Sequence, residues 1–143
     1  LFKKICVASD HAGYKLKEDI KNFLINKNVS IFDLGPINGE KSVDYPDFAK
    51  KVSNRVKEKR SDIGILVCGS GTGMAISANK TRGIRAAVCY NLQSTRLSRL
   101  HNNANIITLG SRLIRKDIAF KLVLIFLKTK FEGGRHLRRI KKI

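Results

Sequence analysis

Residues 63–80 decide the fold, and they read Ile63-Gly64-Ile65-Leu66-Val67-Cys68-Gly69-Ser70-Gly71-Thr72-Gly73 and then Met74-Ala75-Ile76-Ser77-Ala78-Asn79-Lys80. The first five residues form a short apolar run, mostly β-branched, which predicts a buried strand. Residues 74–80 are mostly small and predict a helix. Between them, three glycines permit a sharp turn that leaves amide N–H groups uncovered, where the helix dipole favours negative charge. The stretch therefore predicts a strand, a loop suited to an anion, and a helix.

Cys68 ends the predicted strand and faces this loop, defined here as the glycine loop (residues 69–73). Amide donors around a thiol stabilise the thiolate, so the site offers a nucleophile or base beside a place for negative charge. The alternative is a tight turn whose cysteine is simply buried, as most free cysteines are. A nucleotide site is not supported, because the glycines lack the Rossmann spacing and Gly73 is not followed by the Lys of a phosphate loop.

The same alternation of strand and helix extends outward from this stretch in both directions. The predicted strands are Ile5–Ala8, Val29–Leu34, Ile63–Cys68, Ala86–Tyr90 and Ile106–Gly110. The predicted helices are Gly13–Lys27, Pro46 to about Arg60, the segment after the glycine loop, Leu92–Leu100, a long helix ending at Phe131 and a basic helix after Gly133-Gly134. Single helices between strands require right-handed crossovers and a parallel sheet covered on both faces. We therefore predict an α/β fold with a five-stranded parallel sheet, as one domain over residues 1–143.

The charge balance raises the question of a polyanionic partner. The chain has 29 Lys and Arg against 11 Asp and Glu, a net charge of +18, and such a charge attracts nucleic acid. The basic residues are nevertheless spread along almost every helix, and only Arg135–Lys142 concentrates them. No recognition motif or aromatic-interleaved basic stripe accompanies them. We interpret most of this charge as a solvated surface and do not expect a nucleic-acid partner.

Cysteine spacing and hydropathy argue against metal-binding, disulfide-rich and membrane-spanning proteins. Three cysteines occur without CxxC or Cys/His ligand spacing, so the sequence predicts neither a metal site nor a disulfide framework. The longest apolar run, Ile118–Leu127, is interrupted by Lys121 and is shorter than the about 20 residues that a membrane span needs. We expect a cytoplasmic protein with no membrane partner.

Polar side chains collect at the predicted carboxyl ends of the strands, where ligands bind in parallel sheets. They comprise a carboxylate, two imidazoles, a thiol and an arginine. They are Asp10 and His11 after the first strand, Cys68 and the glycine loop after the third, Arg112 after the fifth, and His101 with Asn102 at the end of the helix that follows the fourth. Together they predict an acid/base site that needs no metal or nucleotide cofactor. The alternative is the general tendency of polar residues to collect at strand ends.

A series of short motifs runs in order along nearly the whole chain. They are Ser9-Asp10-His11-Ala12-Gly13, Asp44-Tyr45-Pro46, Cys68 through Gly73 with Ala78-Asn79-Lys80, Gly83-Ile84-Arg85-Ala86, Leu97-Ser98-Arg99-Leu100-His101-Asn102, Gly110-Ser111-Arg112 and Glu132-Gly133-Gly134-Arg135-His136. In this order they resemble the type B ribose-5-phosphate isomerases, a family that also contains galactose-6-phosphate isomerase subunits and allose-6-phosphate isomerases. The resemblance implies a three-layer α/β/α Rossmann-like fold. It also implies a homodimer or homotetramer with active sites at the subunit interface.

The resemblance further implies an aldose–ketose isomerisation through an enediol, in the non-oxidative pentose phosphate pathway. Cys68, as thiolate, would move a proton between C2 and C1 of the sugar. His101, assisted by Asp10, would move the proton that opens the furanose ring. The developing oxyanion would be stabilised by the amides of Gly69, Ser70, Gly71, Thr72 and Gly73 and by the Ser70 hydroxyl.

Substrate contacts follow from the same resemblance. Asn102 would hold a sugar hydroxyl, and the phosphate would lie with His11, Arg112, Arg135 and Arg139. Arg135 and Arg139 are four residues apart and therefore share one face of the terminal helix. Without the resemblance, the two arginines would be interpreted as part of a solvated basic tail.

Details of the motifs refine the resemblance and leave three alternatives open. Cys68 together with Met74 matches the cysteine variant of the family, and Ser70 replaces the commoner Thr of that variant. Tyr45 is expected to line the site. His136 is interpreted as structural. A phosphohexose isomerase is the near alternative, since a hexose phosphate is one carbon longer. A polyanion-binding protein and a thiol redox protein are the distant ones, the latter weakened because no resolving cysteine lies near Cys68 in sequence.

Overall fold

The structure is a computed structural model that describes residue 2 and residues 4–143. Strands and helices alternate along the chain, as predicted. The elements are β1 (Lys4–Ser9), α1 (Tyr14–Ile25), β2 (Ser30–Asp33), α2 (Tyr45–Lys57), β3 (Ile63–Cys68), α3 (Thr72–Ala78), β4 (Ala86–Val88), α4 (Leu92–Leu100), β5 (Ile106–Gly110), α5 (Lys116–Lys128) and α6 (Arg135–Ile140).

The five strands form one parallel sheet in the order β2-β1-β3-β5-β4. The predicted α/β fold with a five-stranded parallel sheet is confirmed. β3 lies in the middle, and its last residue, Cys68, pairs in register with Gly110 of β5. The stretch that carries the glycine loop is therefore at the centre of the sheet.

The alternation of side chains along β3 divides the core between the two faces of the sheet. Ile63, Ile65 and Val67 pack in one cluster, together with apolar residues of α1 and α5. Leu66 and Cys68 pack in the other, with residues of α2 and α3. Helices thus cover both faces, and this is the three-layer α/β/α arrangement that the motifs implied.

Several predicted elements end earlier in the structure than the sequence pattern indicated. α1 ends at Ile25, and Asn28 shortly after it has a φ of 55°. α5 ends at Lys128 rather than Phe131, because Thr129 is extended with φ −79° and ψ 122°. The chain then turns back, and the Glu132 amide donates a hydrogen bond to the Leu100 carbonyl at 3.0 Å. This return brings the terminal helix α6 beside the end of α4.

Parallel strands bring all carboxyl ends to one edge of the sheet, and each connecting helix runs back toward the other edge. α4 begins near the carboxyl edge, where the Asn91 side chain accepts a hydrogen bond from the Ser94 amide at 2.8 Å. It contains nine residues and is therefore about 13 Å long. Its end, His101, lies toward the amino edge of the sheet. Within residue 2 and residues 4–143, no helix is long and apolar enough to cross a membrane.

Candidate active site

The glycine loop closes over the thiol of Cys68 at the end of β3. The Gly71 amide donates a hydrogen bond to Cys68 Sγ at 3.1 Å, and Cys68 is 4% exposed. Gly71 has a φ of 80°, and a Cβ at this position would lie 3.0 Å from the Leu109 carbonyl carbon. The site therefore requires glycine here, both for its backbone conformation and for the close approach of β5.

Asp10 is fixed beside the end of β3 by main-chain hydrogen bonds. Its amide donates to the Val67 carbonyl at 3.1 Å, and its Oδ1 accepts from the Gly13 amide at 2.9 Å. A Cβ on Gly13 would lie 2.3 Å from the Val67 carbonyl oxygen. Only glycine permits this contact. It lets the turn between β1 and α1 pack directly on β3, and this packing keeps the buried Asp10 beside the end of the strand that carries Cys68.

The turn after β5 brings Arg112 to the glycine loop. The Ser111 amide donates to the Cys68 carbonyl at 2.8 Å, and the Arg112 amide donates to the Gly69 carbonyl at 3.1 Å. The Arg112 guanidinium packs over Gly69, because a Cβ there would lie 3.1 Å from Arg112 Nη1. A planar cation thus lies over the loop that carries the amide donors.

His11 and Tyr45 border the same region. The Val43 amide donates to His11 Nδ1 at 3.1 Å, so in the neutral ring the proton is on Nε2, which is then available as a donor. The Tyr45 ring lies against Gly73, where a Cβ would be 2.7 Å from Tyr45 Cζ. We call Asp10, His11, Cys68, the glycine loop and Arg112 the carboxyl-edge set.

His101 and Asn102 lie at the opposite edge of the sheet. The Arg85 side chain, just before β4, donates from Nε to the Asn102 carbonyl at 3.0 Å. The Gly64 amide, near the start of β3, donates to the Asn105 carbonyl at 3.0 Å. The predicted convergence of His101 with Cys68 therefore does not occur within one chain. The reason is that α4 runs antiparallel to the strands and carries its last residue to the amino edge.

The terminal helix adds the remaining predicted residues to this edge. A cavity of about 290 Å³ is lined by His101, Asn102, His136, Arg139, Ile140 and Ile143. Arg135 is exposed at the start of α6, next to His136. We call His101, Asn102, Arg135 and Arg139 the amino-edge set.

His101 is stacked on His136, with Glu132 beside both rings. The ring centroids are 4.2 Å apart and the planes differ by 9°. Glu132 Oε2 lies 3.7 Å from His101 Nε2 and 3.9 Å from His136 Nε2. Burial lowers the pKa of His136, and the positive charges of its neighbours lower it further, against the opposing effect of Glu132.

The same three residues offer ligand atoms for a metal ion, all within 4.8 Å of one another. Imidazole and carboxylate are ligands of Zn²⁺. In nearly parallel rings, however, the in-plane lone pairs do not converge on one point, so an ion would need at least one ring to rotate.

Sequence reasoning missed the pairing of Glu132 with His101, and it interpreted His136 as structural. The available signal was the nearness of Glu132 and His136 in sequence, since both belong to the motif Glu132-Gly133-Gly134-Arg135-His136. The contact with His101 had no local signal, because it depends on how the chain returns after α5.

Comparison with known proteins identifies the family. A sequence profile described as Ribose/Galactose Isomerase matches residues 5–143. A solved ribose 5-phosphate isomerase of Thermotoga maritima is 53% identical, with a TM-score of 0.95 over 98% of this chain and 96% of that one. A putative sugar phosphate isomerase of Rickettsia conorii is 48% identical over 139 residues, 97% of this chain and 96% of the relative.

One solved relative carries a sugar phosphate. Ribose-5-phosphate isomerase B of Mycoplasma genitalium, with bound ribulose-5-phosphate, is 45% identical, with a TM-score of 0.93 over 96% of this chain and 91% of that one. These matches span nearly the whole length of both partners, and the motifs quoted from the sequence fall inside them. This chain therefore belongs to the ribose/galactose isomerase family.

Proposed function

We propose that this chain is a ribose-5-phosphate isomerase, which interconverts ribose 5-phosphate and ribulose 5-phosphate through an enediol. The observation that carries the proposal is the Cys68 thiol, which accepts the Gly71 amide at 3.1 Å within a loop of further amide donors. Such a thiol can act as a base beside a site that stabilises negative charge. Relatives named ribose-5-phosphate isomerase, one of them with bound ribulose-5-phosphate, support the same substrate.

The first chemical step opens the sugar ring. Ribose 5-phosphate enters as a furanose, and opening takes a proton from the O1 hydroxyl and returns one to the ring oxygen. We assign this proton transfer to His101, assisted by Asp10. The His101 side chain is 38% exposed, so its ring is accessible to a substrate.

The second step transfers a proton between carbons. The Cys68 thiolate removes the proton from C2, and the electron pair forms the C1–C2 double bond while the aldehyde oxygen becomes an oxyanion. Amides of the glycine loop and the Ser70 hydroxyl would donate to this oxyanion, each donor contributing up to about 3 kcal/mol. The proton then goes from Cys68 to C1, and transfer of the O2 proton to the O1 oxyanion leaves a ketone at C2 and a hydroxyl at C1. This step requires no cofactor.

The phosphate requires positive charge and fixed donors. His11 Nε2 is available because the Val43 amide occupies Nδ1, and Arg112 lies over Gly69. Arg135 and Arg139 supply two further guanidinium groups, whose planar donors match phosphate oxygens. Asn102 would bind a sugar hydroxyl.

The distance between the two sets indicates how the complete site forms. The about 13 Å length of α4 separates His101 from the carboxyl edge of its own chain. We therefore propose a homodimer in which the carboxyl-edge set of one subunit meets the amino-edge set of the other. A homotetramer built from two such dimers would have the same sites. We also propose that the protein works in the cytoplasm, in the non-oxidative pentose phosphate pathway.

The experiment is conversion of ribose 5-phosphate by the purified chain, with a chelator present, beside Cys68→Ala and Cys68→Ser. We expect turnover by the wild type and nearly none by either variant, since a serine hydroxyl is a poor base at neutral pH. Undiminished turnover by Cys68→Ala would remove Cys68 as the base. Turnover only on six-carbon sugar phosphates would reassign the substrate to the near alternative, a phosphohexose.

A further inference from the structure

We propose that Glu132 and His136 are positioning residues for ring opening, which act on His101 from within the same chain. The inference rests on the proposed role of His101 in the ribose-5-phosphate isomerase. His136 supplies a flat surface that fixes the plane of the His101 ring. Glu132 supplies a negative charge that stabilises the His101 ring while it holds a proton.

The contacts around His101 are specific in direction as well as distance. Its ring is parallel to that of His136 to within 9°, at 4.2 Å between centroids. Its Nε2 lies 3.7 Å from Glu132 Oε2. Glu132 is itself anchored, because its amide donates to the carbonyl of Leu100, the residue before His101. The segment 129–136 therefore contacts the His101 ring at two residues, Glu132 and His136.

Ring opening gives this arrangement a chemical use. His101 accepts the proton of the O1 hydroxyl, the bond between C1 and the ring oxygen breaks, O1 becomes the aldehyde oxygen, and the same proton goes to the former ring oxygen. His101 is positively charged between these transfers. Arg135 and Arg139 place like charge nearby, and Glu132 is the carboxylate in contact with the ring. Glu132 therefore offsets the repulsion that the phosphate-binding arginines impose on the protonated ring.

His136 suits its role because its surroundings favour the uncharged form of its ring. Its side chain is only 8% exposed, and burial together with the nearby positive charges lowers its pKa. A neutral ring can stack on a protonated His101 without adding a further positive charge to the cluster.

The test separates ring opening from proton transfer between carbons. Ribose 5-phosphate is mostly a closed ring and needs both steps. Ribulose 5-phosphate carries its phosphate on the C5 oxygen, so it cannot close a furanose ring and meets the Cys68 step first. The rates compared are steady-state turnover of ribose 5-phosphate and consumption of ribulose 5-phosphate by enzyme in excess.

For Glu132→Gln we expect turnover of ribose 5-phosphate to fall about fivefold, as for loss of a partly exposed ion pair, with consumption of ribulose 5-phosphate unchanged. His136→Ala should lower the first rate about tenfold. His136→Phe, which keeps a flat buried ring, should restore it to within about twofold of the wild type. Glu58→Gln is the matched control, since Glu58 is exposed and pairs with Arg60 away from the cluster, and neither rate should change.

Each other outcome has a definite meaning. Equal losses on both substrates in Glu132→Gln, or no loss on either, would overturn the inference and leave the isomerase proposal standing. Failure of His136→Phe to recover what His136→Ala loses would overturn the stacking role. A wild type that converts neither substrate would overturn the proposed function, and the inference with it.

Discussion

The two edges of the sheet each carry part of the candidate site, and they hold their residues in different ways. At the carboxyl edge, main-chain hydrogen bonds link the ends of β1, β3 and β5, from Asp10 to Val67 and from Ser111 to Cys68. At the amino edge, His101 is held by a stacked ring and a nearby carboxylate. The carboxyl edge thus provides fixed amide donors, and the amino edge provides side chains on helix ends. The difference teaches that one chain contains both sets of candidate residues and carries them at opposite edges of the sheet.

The largest effect on activity is expected when the carboxyl edge is inactivated in one chain and the amino edge in another. Alone, Cys68→Ala should lower kcat at least about 1,000-fold, within the range for loss of a positioned acid or base. His101→Asn should also be severely impaired on ribose 5-phosphate. Co-expressed, half of the dimers should be mixed, and each mixed dimer should have one intact site. We expect about a quarter of wild-type activity from the mixture, measured by turnover of ribose 5-phosphate.

Recovery above the two parent variants in the co-expressed sample, but not in separately purified variants assayed before their subunits exchange, is the signature of a shared site. Activity of the mixture equal to the mean of its parents would mean that the two residues act within one chain. The control is co-expression of Cys68→Ala with Cys68→Ser. It should show no recovery of activity, because both substitutions lie at the same edge.

A second prediction compares glycines at the two edges. Gly13→Ala should destabilise the fold by about 3 kcal/mol, since the new Cβ would lie 2.3 Å from the Val67 carbonyl oxygen. Gly133→Ala should cost about 1 kcal/mol, because Gly133 has a φ of 75° but open space around it. Urea denaturation followed by circular dichroism measures both. Equal effects would contradict the view that the carboxyl edge is the tightly packed one.

The third prediction concerns the amino edge alone. Arg139 lines the cavity with His101 and Asn102, and its loss should raise KM for ribose 5-phosphate about 30-fold, equivalent to about 2 kcal/mol for a charge-assisted hydrogen bond. Arg138→Ala, in the same helix, is the matched control and should leave KM within about twofold. A KM equally affected by both would indicate general electrostatic attraction rather than a phosphate contact.

The smallest effect is expected from the charges at the end of β2. Burial disfavours the Asp33 carboxylate, yet hydrogen bonds from Lys17, Lys21 and the Gly35 amide outweigh it and lower the Asp33 pKa below its ordinary 3.8. The folded state therefore prefers the charged form. The stability that this preference contributes is fully present above the ordinary value and is lost as the pH falls through the lowered one.

Asp33→Asn should accordingly cost about 1 kcal/mol at pH 7, and the difference from wild type should shrink as the pH falls below about 4. Urea titrations at both pH values measure it. Asp117→Asn is the control, since its pair with Arg115 is exposed, and it should change stability less. A difference that is constant with pH would mean that Asp33 acts through packing instead of charge.

The sequence predicted the centre of the fold more closely than its periphery. β3, α4 and β5 have the predicted bounds. Each of the two strands is a short apolar run that reaches a glycine at its carboxyl end, and α4 begins directly after Asn91, whose side chain caps the helix. The ends of α1 and α5 were less predictable, since the hydrophobic period continues past residues that adopt non-helical backbone angles, such as Asn28 and Thr129.

The carboxyl-edge residues were predictable from the strand ends, because parallel strands must deliver them to one edge. The prediction that His101 joins them did not consider the direction of α4. In a parallel sheet, a helix that follows one strand runs back toward the amino edge, so its last turn lies away from the carboxyl ends. The contact of His101 with Glu132 could not be predicted, because it depends on the path of the chain from Thr129 to Glu132 and on a hydrogen bond to Leu100.

The direction of α4 has a mechanical consequence in the proposed dimer. The helix starts just after Tyr90, whose hydroxyl lies 3.5 Å from Thr72 Oγ1 on the glycine loop of its own subunit. It ends at His101, which belongs to the other subunit's centre. A helix of nine residues thus connects the two proposed centres, so a change in the tilt of α4 would move the start of the helix in one centre and the imidazole in the other together. In the proposed dimer, the length of α4 would therefore set the spacing between the two centres.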